Sequence, residues 1–465
     1  MADLENRDSG AAQARLLSGW GRTSPTLATV HLPEDLEHIV SRVTAPSTRG
    51  VIARGLGRSY GDAAQNAGGD VVSLRNLDSV LAVDVDKGTV TVESGVSLDR
   101  LLRTLLPLGW FPMVIPGTSH VTVGGAIASD IHGKFRHGSF ANYVDRMRVV
   151  TPAGGARMLV PDADANAFWA TSGGMGLTGV ITEATLQLQP VETSRIVCDT
   201  ERTTDVDDCM ARMLDGDHDY RYSVAWIDCL ATGGRLGRAV LTRGNHATLD
   251  DLPTNDRSAA RAYEPRALIG SPPWVPNRLV NVLSVRAFNE MWFRKAPRTR
   301  QRHVEGIKPF FFPLDQVRDW NRIYGSRGFV QYQFVVPFGE EQVIRRALEQ
   351  FSAARIPTFL AVLKRFEHDS RSMIGFPMPG WTLALDIPTA PGIAELLDRL
   401  DELVVAAGGR VYLTKDARLR PELLQAMYPR LDDWRATRAT LDPGNLMRSD
   451  MDRRLDLSGV RQQRA

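Results

Sequence analysis

The glycine clusters in roughly the first 180 residues constrain this chain more than any other feature. They are Gly55-Leu56-Gly57-Arg58-Ser59-Tyr60-Gly61, Gly117, Gly124-Gly125 and Gly173-Gly174-Met175-Gly176-Leu177-Thr178-Gly179. Glycine reaches positive φ without steric cost and lets backbone approach a ligand closely. Successive N–H groups in such turns form a concavity that holds phosphate oxygens. A chain built this way is suited to wrap a large phosphorylated ligand, and a dinucleotide pyrophosphate needs such a cradle.

The pattern between the glycines predicts the local elements. Val51-Ile52-Ala53 reads as a short buried strand running into the first loop, and Thr89–Glu93 alternates as a strand. Ser97 caps a helix whose Leu98, Leu101, Leu102, Leu105 and Leu106 share one face, stopped by Pro107 and Gly109. Met147–Thr151 and Arg157–Val160 form a hairpin, and a helical segment near Phe168-Trp169 precedes a strand from Val180 to Leu188. Later come strands Phe329–Pro337 and Trp381–Pro388 and a helix Ile393–Val405 ending at Gly408-Gly409. A strand Arg410–Thr414 is expected to deliver Lys415 and Asp416. Residues 1–15 read as a disordered tail, and 245–280, polar and proline-rich, as a mobile loop over a site.

Two familiar nucleotide motifs are excluded by context. Gly174–Gly179 spells GxGxxG, but a helical segment precedes it and a strand follows, the reverse of the Rossmann order. The first loop lacks the GK[ST] ending of a nucleoside-triphosphate loop. With 56 basic and 54 acidic residues, net +2, bulk charge argues against nucleic acid as a partner. Cys198, Cys209 and Cys229 have no CxxC spacing, so neither a disulfide framework nor a metal site is expected. No apolar run is long enough for a transmembrane helix, and no secretory h-region is present. A cytoplasmic location is expected by default, with peripheral membrane contact and a periplasmic location left open.

Arg54–Asp62, Pro116–Thr118, Thr122–Gly125 and Gly173–Gly179 stand in the order found in vanillyl-alcohol-oxidase-type FAD domains, and the chain resembles that family. The resemblance implies an α+β fold: a PCMH-type FAD-binding domain (1–192), a second α+β substrate domain on an antiparallel sheet (193–409), and a C-terminal segment (410–465) returning to the first. It implies that Ala53, Arg54, Gly55, Leu56, Gly57, Arg58, Ser59, Tyr60, Gly61, Asp62 and Ala63 wrap the FAD pyrophosphate. Gly117, Thr122, Val123, Gly124, Gly125, Ser129, Asp130, Ile131, His132, Ile181 and Tyr412 would line the rest of the cofactor. Because the first loop reads Arg58-Ser59-Tyr60, without the histidine that binds FAD covalently in many relatives, non-covalent FAD is expected.

A closer resemblance runs through nearly the whole chain. Gly19–Thr23, Thr122–Lys134, Phe168–Gly179, Gly328–Pro337, Pro379–Trp381, Thr414–Arg418, Met427–Trp434 and Ser449–Leu455 resemble polyprenylphosphoryl-ribose 2′-oxidases, the flavoprotein half of a cell-wall arabinose epimerase. That family oxidises a ribose 2′-hydroxyl, and a separate NAD(P)H-dependent short-chain reductase completes the epimerisation. The resemblance places Lys415 beside flavin and substrate hydroxyl as cation or base, with His132 and Tyr60 as further catalytic candidates. Gln331 and Gln333 share one strand face and can read sugar hydroxyls. Lys364 can hold a lipid phosphate, and Trp226, Phe311 and Ala384 would wall the substrate. Mycobacterial members have cysteine at the position of Ala384 and tyrosine at that of Phe311, so the wall is altered here. An aldonolactone or alditol oxidase of the same fold, and a non-catalytic flavin- or lipid-phosphate-binding protein, are the competing readings.

Overall fold

The computed structural model describes residues 12–264, 269–270, 275–276 and 279–460. The fold is α+β and is organised by three main sheets. In the first, strands Gln13–Leu17, Thr26–His31, Asp70–Ser73 and Val51–Arg54 lie in that spatial order; the first pair is antiparallel and the others are parallel. In the second, Val80–Asp84, Thr89–Glu93, Val180–Pro190, Val144–Thr151 and Gly155–Leu159 form an antiparallel series, with Trp110–Pro112 also pairing the long central strand.

The third sheet has eight strands, all antiparallel. Its order is Gln301–Gly306, Arg195–Thr203, Ala239–His246, Tyr222–Ile227, Ala361–Phe366, Gly380–Pro388, Phe329–Pro337 and Arg410–Val411. Helices Val206–Gly216, Glu341–Ala353 and Ile393–Ala406 bury their apolar stripes against it: Val343, Ile344, Ala347, Leu348 and Phe351 in one, Leu396, Leu397, Leu400 and Val404 in another.

Local signals in the sequence act as read. Ser97 Oγ accepts from Arg100 N and caps the helix Leu98–Leu105, and Gly109 at φ +84° ends the short 3-10 turn that follows. Gly174–Gly179 sits between the helix Ala165–Thr171 and the strand Val180–Pro190, the context that excludes a Rossmann turn. Two expectations are corrected. Residues 13–15 belong to the strand Gln13–Leu17 rather than to a tail, held by pairing along Thr26–His31, while residues 1–11 lie outside the described residues. The strand at Arg410 stops at Val411, because Lys415 N and Asp416 N both turn back to the Tyr412 carbonyl. Lys415 therefore sits on a tight turn. Of the expected loop 245–280, residues 265–268, 271–274 and 277–278 lie outside the described residues, and Ile269–Gly270 pairs with Val317–Arg318.

The C-terminal residues pack on the first part of the chain. Trp434, fully buried, donates from Nε1 to Ala170 O at 2.9 Å, and Val51 N donates to Leu446 O at 2.8 Å. Arg454 clips two loops together: it reaches Asp62 Oδ1 and Asp416 Oδ2, each at 2.8 Å. Removing one partner from such a mostly buried cluster leaves carboxylates uncompensated. Arg454→Met should lower stability by about 3 kcal/mol, read from the urea midpoint. An unchanged midpoint would mean the clip is dispensable.

Candidate active site

The first loop and the turn carrying Lys415 are pressed together. Tyr60 N donates to Thr414 O at 3.0 Å, and a Cβ on Gly61 would lie 2.0 Å from Asp416 O, so only glycine fits. From the other side, Trp20 N donates to Ser59 O and Gly21 N to Tyr60 O. Gly57 holds φ +64°. The loop is thus fixed as the rim of a cavity of about 1110 Å³ that runs between the glycine clusters and the eight-stranded sheet. Ligand pockets commonly occupy about 300–1,000 Å³, so this one has room for a large cofactor and a second molecule.

One wall is glycine-rich backbone. Ala53, Gly55, Leu56, Gly57, Arg58, Ser59, Tyr60, Ala63, Gly117, Thr122, Gly124, Gly125, Ser129, Ile131, His132, Ile181 and Tyr412 line it as the sequence suggested. A Cβ at Gly55 would strike Thr122 Oγ1 at 2.3 Å, whereas one at Gly117 would meet nothing within 4 Å and project into open space. These residues fit FAD: the donor-rich turns suit a pyrophosphate, and Ile181 and Met175 supply apolar surface for a ring system.

The remaining expected cofactor residues lie behind this wall. Arg54 donates to Ala64 O and Ser18 O, Gly61 packs on Asp416, and Asp62 pairs with Arg454. Val123 is core, and Asp130 is fully buried, accepting from Ala141 N at 3.0 Å and from Ser370 and Ser372 hydroxyls. They brace the loops and do not line the cavity. Trp226 is corrected likewise: its indole N–H turns to Phe359 O at 3.1 Å, and Val224, two residues earlier on the same face, lines the cavity instead.

The opposite wall comes from three adjacent strands. Their register sets Gln331 against Asp386 and Gln333 against Ala384, with Val362 across from Ala384 and Lys364 across from Thr382. Period-two alternation aims these side chains at one face. Gln331, Gln333, Lys364, Ala384 and Phe311 line the cavity as expected, joined by Lys134 and Lys415.

Polar contacts tie the wall together. Lys415 Nζ lies 3.9 Å above the centre of the Tyr60 ring, a cation–π contact. Gln331 Nε2 donates to the Tyr60 hydroxyl at 3.2 Å and to Asp386 Oδ1. Asp386 is fully buried, and its Oδ2 has no hydrogen-bond partner among the described residues. Burial pushes the Asp386 carboxyl up despite the Gln331 amide and the Lys415 charge. Burial holds Lys415 below the ordinary lysine value of 10.5, and Asp386 opposes that shift.

The other bases follow the same rule. Burial, reinforced by the Lys415 and Lys134 charges, lowers Lys364 to about 7. Burial lowers Lys134 to about 8. Burial and both Lys364 and Lys415 hold His132 well below its usual 6.5, so its imidazole is neutral and accepts from Gln333 Nε2 at 2.8 Å. Its Nδ1 is buried without a hydrogen-bond partner among the described residues, and its ring packs against Phe366, Phe376 and Tyr412.

Lys134 and Asp386 escaped the sequence reading. Lys134 follows His132 by two residues, and Asp386 follows Ala384 by two on the same strand face; the alternation rule applied to Ala384 would have found Asp386. The cysteines are free and buried, and the Cys198 thiol donates to Glu305 Oε1 at 3.4 Å.

A glycine-wrapped cofactor wall facing lysines of lowered basicity, a neutral histidine and paired amides defines a flavoprotein oxidoreductase acting on a hydroxylated substrate. The comparisons agree. Residues 27–158 match the family model described as an FAD binding domain. Decaprenylphosphoryl-beta-D-ribose oxidase of Mycolicibacterium smegmatis is 42% identical over 448 residues, 95% of this chain and 97% of that protein. An uncharacterized protein in the mprA 5′ region of Streptomyces coelicolor is 41% identical over 374 residues, 78% of this chain and all of that protein (100%). Cytokinin dehydrogenase 9 of Oryza sativa is 33% identical over 149 residues, 31% of this chain and 28% of that protein. The chain belongs to the decaprenylphosphoryl-β-D-ribose oxidase family, within the PCMH-type FAD-binding proteins, and is an FAD-dependent oxidoreductase.

The Lys415–Asp386 proximity has a measurable sign. The Asp386 charge raises the Lys415 pKa, so Asp386→Asn should move a Lys415-controlled limb of the flavin-reduction profile to lower pH. A limb that stays in place would show that the two groups do not share charge.

Proposed function

We propose that this enzyme oxidises the 2′-hydroxyl of a polyprenylphosphoryl-β-D-ribose to the ketone. It would be the first half of an epimerisation finished by a separate NAD(P)H-dependent reductase. The observation that carries this reading is the cavity lining: Lys415 over Tyr60, with Gln331, Gln333 and Lys364 from the sheet and His132 bonded to Gln333 from the glycine-rich side. Bound FAD supplies a hydride acceptor. We assign FAD to residues 1–192 and 410–465 and substrate to 193–409, with FAD held non-covalently and the protein in peripheral contact with a membrane.

Each group on the wall has a defined task. Lys415, with its lowered basicity, takes the hydroxyl proton in its neutral form and offers positive charge to the cofactor in its protonated form. Gln331 fixes the Tyr60 hydroxyl and Asp386 together, which holds the ring under the lysine. His132, neutral, has Nε2 taken up by the Gln333 amide, which leaves Nδ1 for a substrate hydroxyl. Gln333 Nε2 also donates to Thr382 Oγ1 at 3.1 Å, which orients its amide. Burial and the Lys415 and Lys134 charges disfavour protonation of Lys364, and a phosphate beside it would restore its charge. A phosphorylated substrate is thereby favoured over a neutral lactone.

The test is anaerobic titration of the yellow holoenzyme with a polyprenylphosphoryl ribose. Bleaching of the oxidised-flavin band is expected, and a yellow protein that stays yellow with this substrate but bleaches with a free polyol or lactone would overturn the substrate assignment. Lys415→Ala should keep FAD bound and slow flavin reduction by about 10²-fold or more; wild-type reduction would remove Lys415 from the chemistry. Acid precipitation should leave the flavin in the supernatant, and flavin in the pellet would mean a covalent link.

A further inference from the structure

The helix Val282–Lys295 packs on the body through one face only. Val285 and Asn289 are buried, and Asn289 Nδ2 donates to Asp228 Oδ1 at 2.6 Å. The Arg202 and Arg238 guanidinium groups lie 5.2 and 4.4 Å from the Phe293 ring centre. These three residues recur at four-residue intervals, so they form a single stripe.

The outer face repeats the same interval with apolar residues, Leu283, Ala287 and Met291, while Trp292 lies about a quarter-turn round the helix from Met291 and stacks on Phe288. Leu283 is 78% exposed, Met291 61% and Trp292 39%, and Leu279 just before the helix is 52% exposed. Single exposed apolar side chains are ordinary, but a continuous strip along one helix marks a contact surface. Basic residues flank it. Arg286, Arg294 and Lys295 stand on the helix and Arg298 just beyond it, against Glu290 as the sole acid between 281 and 298, in a chain whose whole net charge is +2; Arg300 and Arg302 pair with Glu201 and Asp251. Glu290 is itself engaged by Arg238 at 2.7 Å and Arg294 at 2.6 Å.

The strip adjoins the substrate side of the cavity. Val280, at its start, packs against the cluster of Tyr60, Trp320, Tyr324 and Phe329, of which Tyr60 and Trp320 line the cavity. Phe288, half-buried in the helix, meets the Phe359 ring edge-on at 5.8 Å, and Leu360, the next residue along, is cavity wall.

We propose that the face of Val282–Lys295 bearing Leu283, Ala287 and Met291 docks on an anionic lipid bilayer. The apolar strip enters the boundary between headgroups and acyl chains, and the flanking cations meet lipid phosphates. A mixed apolar and cationic face of this kind matches a bilayer surface on both counts. That the bilayer also delivers the substrate rests on the function proposed above; the docking does not.

The test is flotation of the FAD-loaded, full-length enzyme with vesicles of phosphatidylcholine and phosphatidylglycerol, and with phosphatidylcholine alone. The wild type should float with the anionic vesicles. Combining Leu283→Glu, Ala287→Glu and Met291→Glu should cut partitioning by roughly tenfold or more, while leaving the flavin spectrum and the oxidation of a soluble short-prenyl substrate unchanged. Flotation needs no substrate, so failure of the ribose assignment would leave this result standing. A wild type that stays in solution, or a triple variant that floats equally well, would overturn the proposal. So would a dimer in sedimentation velocity that the triple variant abolishes, since the face would then belong to a second copy.

Discussion

The approach of Gly61 to the Asp416 carbonyl is the constraint on which the rest of the site depends. The first loop and the Lys415 turn come from opposite ends of the chain, and they meet at a distance no side chain could tolerate. The Tyr60 N–H to Thr414 O bond and the Arg454 clip between Asp62 and Asp416 hold that contact in place. Because the loop carries Tyr60 and the turn carries Lys415, the same contact sets the ammonium over the ring. The glycine-rich wall and Lys415 are thereby fixed by one piece of backbone geometry.

Electrostatics of the cavity follow from burial more than from pairing. Lys134, Lys364, Lys415 and His132 face one enclosed space, and in each case desolvation is the largest influence disfavouring the charged form. Asp386 is the buried carboxyl that answers them, and it too is pushed toward its neutral form. A wall of this kind holds protons loosely, so an anionic ligand or a change of flavin charge can redistribute them at small cost. The eight-stranded sheet makes this possible by presenting residues from three neighbouring strands on one face, while helices cover the other.

The outer helix extends the same economy to the surface. Val285, Asn289 and Phe293 commit one stripe to the body, which leaves the opposite stripe to carry Leu283, Ala287 and Met291. Its neighbours in the fold include Trp320, which lines the cavity.

Glycine clusters, capping residues and alternation were legible in the sequence because each acts within a few residues. They located the cofactor loops, the Ser97-capped helix, the long strand at Val180 and the shared face of Gln331 and Gln333. Lys415 and His132 stood out through family resemblance, and both face the cavity. Alternation says which residues share a face, but not which face meets a cavity. Nor does it say where along a face the cavity ends: Trp226 shares the face of Val224, which lines the cavity, but turns to Phe359. Arg54, Asp62 and Asp130 belong to motifs that bind FAD but serve as braces, because their partners (Ser18, Arg454, Ser370) are remote in sequence or outside the motif. The sequence by itself determined the short-range geometry: where backbone can turn tightly and which side chains alternate. Only the tertiary structure decided which charges are desolvated together, since that depends on strands brought into register from segments hundreds of residues apart.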